Sequence, residues 1–233
     1  MNKHILFVLM VLGPLMVYGQ GGGFGYSLDI GGSPWSQDVG AYGQAIGSVT
    51  HNVFLRRHSE SGFRSFQMMM GYKTEKVSFQ NYSTFLSPGG NLTEFNTDAT
   101  LSRTALRFAF IEHLQFGMPG RFVVALNSGL FYERTLFAER YSSWDNIYYT
   151  LNQEINPHGI GYIFGIETRF HFVTLGYKIE QSFRDVLDHD YILSQELAIG
   201  NSSELRGLML HPVMHYIYLG VNLDFMWNQG NKN

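Results

Sequence analysis

The sequence predicts an all-β fold, an antiparallel up-and-down β-barrel of about eight strands that crosses a membrane. Three observations lead there. Apolar and polar residues alternate with period 2 along most of the chain. The connections between these runs alternate in length. The less apolar face of the runs is built from small residues and charges of both signs.

The alternation is clearest from Gly159 to Arg184. Ile160, Tyr162, Phe164, Ile166 and Phe170 form one face, against Gly159, Gly161, Gly165, Glu167 and Arg169. A tight reversal near His171-Phe172 follows. Then Val173, Leu175, Tyr177, Ile179 and Phe183 oppose Thr174, Gly176, Lys178, Glu180, Ser182 and Arg184. Successive strand side chains point to opposite faces, so each run has one apolar side. Near the start, Phe24, Tyr26, Leu28 and Ile30 oppose Gly25, Ser27, Asp29 and Gly31. Further runs set Ala45, Val49, Val53 and Leu55 against Gln44, Ser48, Thr50 and Asn52, and Phe66, Met68, Met70 and Tyr72 against Ser65, Gln67, Lys73 and Glu75. Leu106, Phe108 and Phe110 oppose Arg103, Ala105, Arg107 and Ala109; Val124, Leu126, Leu130 and Tyr132 oppose Ala125, Asn127, Gly129 and Glu133. The last run sets Ile217, Leu219, Val221, Leu223 and Phe225 against Tyr218, Gly220, Asn222 and Asp224. Each is long enough to cross a bilayer as a tilted strand of ~9–11 residues.

Short connections are expected at residues 58–62, at 117–120 and near Phe172, and longer ones at roughly 33–40, 81–98, 140–157 and 185–207. Outer-membrane barrels share this asymmetry, with short periplasmic turns and long external loops. An even strand number places both ends of the domain on the short-turn side.

Composition agrees. Of 233 residues, 15% are charged and 15% aromatic, with 26 Gly, which suits closely paired strands better than a helical bundle. A net charge of −3 leaves no basic footprint for nucleic acid. The absence of Cys excludes disulfides and thiolate metal sites. At the N-terminus a short basic head, Met1-Asn2-Lys3-His4, precedes the apolar stretch from Ile5 to Val17 and the small residue Gly19. This pattern predicts a signal peptide over residues 1–19, ahead of a barrel domain at 20–233. The alternative is an uncleaved anchor, for which the stretch is short and broken by Gly13-Pro14.

A soluble sandwich or a lipocalin-like barrel also alternates. Its second face would meet water and carry mostly Lys and Glu. Here Arg103, Arg107, Arg169, Arg184, Lys73 and Lys178 stand beside Asp29, Glu75, Glu133, Glu167, Glu180 and Asp224, amid many small residues. That suits a cramped lumen in which opposite charges pair. Glu167, Arg169, Lys178 and Glu180 are expected to approach one another across their shared hairpin. Eight strands leave room for side chains but not for an open channel. Tyr26, Tyr72, Tyr132, Tyr177 and Trp227 are candidates for interfacial girdles.

The layout resembles the PorT-like outer-membrane β-barrel family of Bacteroidota. The residues that carry the resemblance are Leu106–Phe116 followed by Arg121–Leu130, then Gly161–Gly165 leading into Thr174–Ile179, and finally Tyr218–Phe225. The resemblance implies a small outer-membrane barrel without assigned chemistry, so no functional residue transfers. Some members of the family serve a secretion and gliding apparatus. After the last strand the chain runs on through Gln229-Gly230-Asn231-Lys232-Asn233 rather than ending on an aromatic.

Chemistry-bearing residues are sparse. His211 and His215 flank Pro212, and on an extended strand they stand about 13 Å apart, too far to share an ion. Asp185, Asp188, His189 and Asp190 form an acidic and histidine cluster with oxygen and imidazole donors; solvated loop charge is its simpler reading. Ser182 or Ser194 with His189 are the available nucleophile–base pairs, without a recognisable spacing. Three Asn-x-Ser/Thr triplets, at Asn81, Asn91 and Asn201, read as chance matches in polar segments. The expectation is a non-enzymatic barrel with no catalytic, cofactor-binding or metal residues, a filled lumen and a structural or binding role through its outer loops. Its expected location is the outer membrane, with the lipid and other envelope proteins as partners. An accessory subunit of a secretion or assembly machine, and a lipid hydrolase, are the alternatives.

Overall fold

The computed structural model describes residues 22–33, 44–59, 62–86, 93–118, 122–142, 147–151, 153, 155–184, 186, 188 and 213–222. Every element among them is a strand: β1 (Gly22–Ser33), β2 (Gln44–His58), β3 (Arg64–Leu86), β4 (Thr93–Met118), β5 (Phe122–Ser142), β6 (Ile147–Thr150), β7 (His158–Phe170), β8 (Val173–Ser182) and β9 (Val213–Asn222). The β1–β9 and β4–β5 pairings close a ring of eight antiparallel strands, and β6 lies outside it, paired to β5 alone. Among the described residues no helix is long and apolar enough to cross a membrane.

Three tight reversals share one end of the barrel. At the first, Gly62 has a φ of 68° and its N–H donates to Ser59 O. Gly117, φ 122°, turns β4 into β5, where a Cβ would strike the Phe122 carbonyl. His171 holds a φ of 54° in the reversal between β7 and β8, a left-handed backbone that His tolerates better than β-branched residues do. The end of β9 sits there too, its Asn222 N–H donating to Phe172 O at 2.7 Å.

The other end departs from expectation. The segment 81–98 is not a loop throughout: β3 runs on to Leu86 and β4 begins at Thr93, paired from Tyr82↔Thr97 to Leu86↔Thr93 past an irregularity after Phe79. Tyr82, Thr84, Phe85, Phe95 and Thr97 are good strand formers; interspersed Asn and Gly give the stretch a loop-like composition. Likewise β5 reaches Ser142, and Ile147–Thr150 folds back on it. The segments 34–43 and 189–212 lie outside the described residues.

Following ladder pairs once around, from Gly32 through His215, Ile179, Phe164, Ser128, Glu112, Phe66 and Arg57, returns the path to β1 at Gly22, ten residues below its start. Ten residues at ~3.3 Å over eight strands ~4.8 Å apart tilt the strands about 40° from the axis. Each residue then climbs about 2.5 Å. The ten residues of β8 rise about 25 Å, whereas the 26 of β4 would rise about 65 Å at that tilt. The β3–β4–β5 wall therefore overtops the rest of the barrel on the loop side.

The faces segregate by parity. Outside lie Phe24, Phe116, Phe122 and Phe170 near the short turns and Ile160 and Tyr72 higher up, all well exposed. By the same arithmetic these two levels stand roughly 20–25 Å apart, matching the ~25 Å apolar band of outer-membrane barrels. Tyr72 and Tyr132 stand near the upper edge; Tyr26 and Tyr177 sit deeper, and Trp227 lies outside the described residues. Inside, charge is buried: Arg56, Arg107, Asp29 and Glu167 are each 1% exposed.

Candidate functional site

Among the described residues the lumen is the most elaborate side-chain cluster, and it has two ionic layers. The layer nearer the loops holds Lys73, Glu75, Arg103, Arg107, Glu133, Lys178, Glu180 and Asp29. Lys73 Nζ bridges Glu75 and Glu133 at 2.9 and 3.0 Å. Arg103 binds the same two carboxylates at 2.8 and 2.5 Å. The Arg107 fork donates to both oxygens of Glu180, Nη1 at 2.5 and Nη2 at 2.6 Å. Lys178 joins Glu180 at 2.9 Å to Asp29 at 2.6 Å. Four cations thus meet four carboxylates, and the Lys178 and Lys73 ammoniums also lie over the Tyr216 ring, at 5.2 and 5.9 Å.

The layer nearer the short turns centres on Glu167, which binds Arg56 at 3.1 Å and Arg169 at 2.5 Å and lies 3.3 Å from His113. The Tyr218 hydroxyl donates to Glu167 at 2.7 Å, and Asn127 donates to Tyr218 at 2.9 Å. Between the layers sits an apolar plug of Phe54, Met69, Ala109, Ile111, Phe131 and Ile163.

The structure brings together most of the sequence-predicted lumen charges and corrects some. Arg184 is exposed beyond the end of β8, where its backbone meets Ser182 Oγ. Asp224 lies outside the described residues. Glu167, Arg169, Lys178 and Glu180 do not pair across their hairpin. Its two-residue turn sets Glu167 opposite Gly176, Arg169 opposite Thr174 and Lys178 opposite Gly165. The charges therefore pair along one strand or across the lumen, to Arg56 of β2, Asp29 of β1 and Arg107 of β4. The inner face is also less uniformly polar than expected, because of the plug. Arg56, His113 and Tyr216 were missed. Arg56 continues the parity of Ser48, Thr50 and Asn52, which is the signal that would have found it.

The lumen is closed. Two cavities lined by lumen side chains measure about 20 Å³ each, room for about one water apiece. Among the described residues, the lumen carboxylates are paired with cations. Ser182 Oγ is engaged by the Ile160 carbonyl and the Arg184 backbone. No group of three metal-ligating residues occurs among the described residues; His189, Asp190, Ser194 and His211 lie outside them. Asp188 is half-buried. His215 faces outward on β9, its Nδ1 bonded to the Tyr177 hydroxyl. The same pairing recurs outside at Tyr26–His51 and Tyr132–His158, both 2.6 Å. Each joins neighbouring strands, with the His nearer the loop side.

No family model matches the chain, and no curated protein matches it. Among solved structures it is similar to the translocator domain of the autotransporter NalP from Neisseria meningitidis. The two share 10% identity over 94% of this chain and 95% of that one, with a TM-score of 0.36.

Proposed function

We propose that the chain is an integral outer-membrane barrel with a sealed lumen, which holds the tall β3–β4–β5 wall and its connecting segments above the bilayer as a binding surface. The carrying observation is the inversion of faces. A closed barrel turns most of its ion pairs inward and an apolar band of roughly 20–25 Å outward, interrupted by the Arg64–Glu112 pair in its lower half. In water such a band would be a large exposed apolar patch; in a bilayer it is the matched surface. The ionic lumen supplies rigidity rather than transport, and rigid scaffolds commonly carry binding in their projecting segments. The membrane lipid is its first partner. A small barrel of the PorT-like kind, alone or as accessory subunit of a secretion or assembly machine, is the family reading consistent with this design.

The test is insertion. The refolded chain should float with phosphatidylcholine vesicles, resist alkaline extraction and run as a heat-modifiable band. Ile166 lies on the outward face, 45% exposed, about 10 Å above the lower edge and so near mid-bilayer. Ile166→Arg should block insertion, since such a charge costs ~2–4 kcal/mol there. A soluble, folded Ile166→Arg protein would replace the membrane reading with a soluble barrel.

A further inference from the structure

From the upper edge of the apolar band upward, residues of β1–β6, most of them outward-facing, line a groove of about 700 Å³. That is within the ~300–1,000 Å³ range of small-ligand sites, and both lumen cavities are far too small to hold a ligand. Its lining combines apolar surface with hydroxyls and tyrosine rings. Thr74 of β3 and Thr100, Ser102 and Thr104 of β4 bring hydroxyls to it, and Tyr141 and Tyr148 form one end, their rings 4.9 Å apart. Its outward charges, Lys76 and Glu139, cancel; Glu75 and Arg103, also in its lining, bind each other within the lumen layer. The apolar part of this lining suits a lipid's acyl chains, and a net-neutral groove with a single outward lysine lacks the cation cluster that phosphate recognition uses. Hydroxyl rows beside a tyrosine pair suit a neutral saccharide: the hydroxyls exchange hydrogen bonds, and the rings give an amphipathic flat face.

Height selects the source. Thr74, Lys76 and Thr104 stand about 25–30 Å above the lower edge of the band, just past its upper edge. The groove's floor begins at Ile30 and Val49, which belong to the band itself. A ligand seated there meets lipid below and water above. We infer that this groove binds the saccharide headgroup of a glycolipid in the loop-side leaflet, with the acyl chains lying along the band. The inference rests on the membrane reading.

The chain has no native cysteine, so Ser102→Cys in the groove and Arg184→Cys on the opposite wall give single reporters. Each is reconstituted in phosphatidylcholine vesicles alone, with one-tenth digalactosyldiacylglycerol (a neutral disaccharide glycolipid), or with one-tenth phosphatidylglycerol, and alkylated with a polar maleimide. Digalactosyldiacylglycerol should slow labelling at Ser102→Cys at least fivefold and leave Arg184→Cys unchanged, while phosphatidylglycerol should slow neither. Tyr148→Ala, or Thr104→Val if the first fails to fold by heat-modifiability, should cut the protection at least threefold. Equal protection by phosphatidylglycerol, protection at both reporters, or protection that survives both variants would overturn the inference. So would protection by free maltotriose at matched concentration, which would assign the groove to soluble sugar. Failure to float with any vesicle removes the membrane reading and this inference together; flotation without protection removes the inference alone.

Discussion

Glu167 is the carboxylate on which the lower lumen layer depends. It binds Arg56 and Arg169, accepts from the Tyr218 hydroxyl and lies beside His113. Among the described residues no other carboxylate pairs with those two guanidiniums. Glu167→Gln keeps the volume and removes the charge, leaving two cations with exposures of 1% and 8% facing each other. Stripping the partner from a buried ion costs ~3–5 kcal/mol, and here one substitution strips two. Arg169→Gln is different. Glu167 keeps Arg56, Tyr218 and His113, so the loss is one charge-assisted hydrogen bond, ~1.5–3 kcal/mol, reduced by relief of the Arg56–Arg169 repulsion. Equilibrium urea unfolding in phosphatidylcholine vesicles, followed by the three native tryptophans, should therefore rank Glu167→Gln well below Arg169→Gln. The double variant should recover part of the single Glu167→Gln loss, because only one unpaired guanidinium remains. Equal costs for the two single variants, or a double variant no more stable than Glu167→Gln alone, would refute the idea that charge balance within the layer sets its stability.

A Cβ at Gly176 would overlap the Tyr218 ring, so Gly176→Ala should push Tyr218 off Glu167 and lower the gel-shift temperature. Gly220→Ala meets no atom closer than 3.4 Å and should leave it nearly unchanged. With lumen cavities of about 20 Å³, the wild-type chain in a planar bilayer should show no steady ion conductance. Stable unitary steps would show that the plug of Phe54, Phe131 and Ile163 opens.

Much of the barrel is legible along the chain because strand parity is a local property. Phe164 and Ile166 face out, and Glu167 and Lys178 face in, by period 2 alone, and the tight reversals at Gly62, Gly117 and His171 order the strands as neighbours. Length was less legible. The upper parts of β3 and β4 read as loop from their Asn and Gly, and become strand because each finds a partner, Tyr82 with Thr97 and Phe85 with Glu94. Pairing across the lumen was not legible at all. The stagger of ten residues is a sum over eight registers, and it alone decides that Glu167 meets Arg56, 111 positions away, rather than a charge on its own hairpin. The groove at the top of the band has a nearer origin: the registers of adjacent strands set Thr74 beside Thr104, Thr100 beside Tyr141 and Tyr141 beside Tyr148.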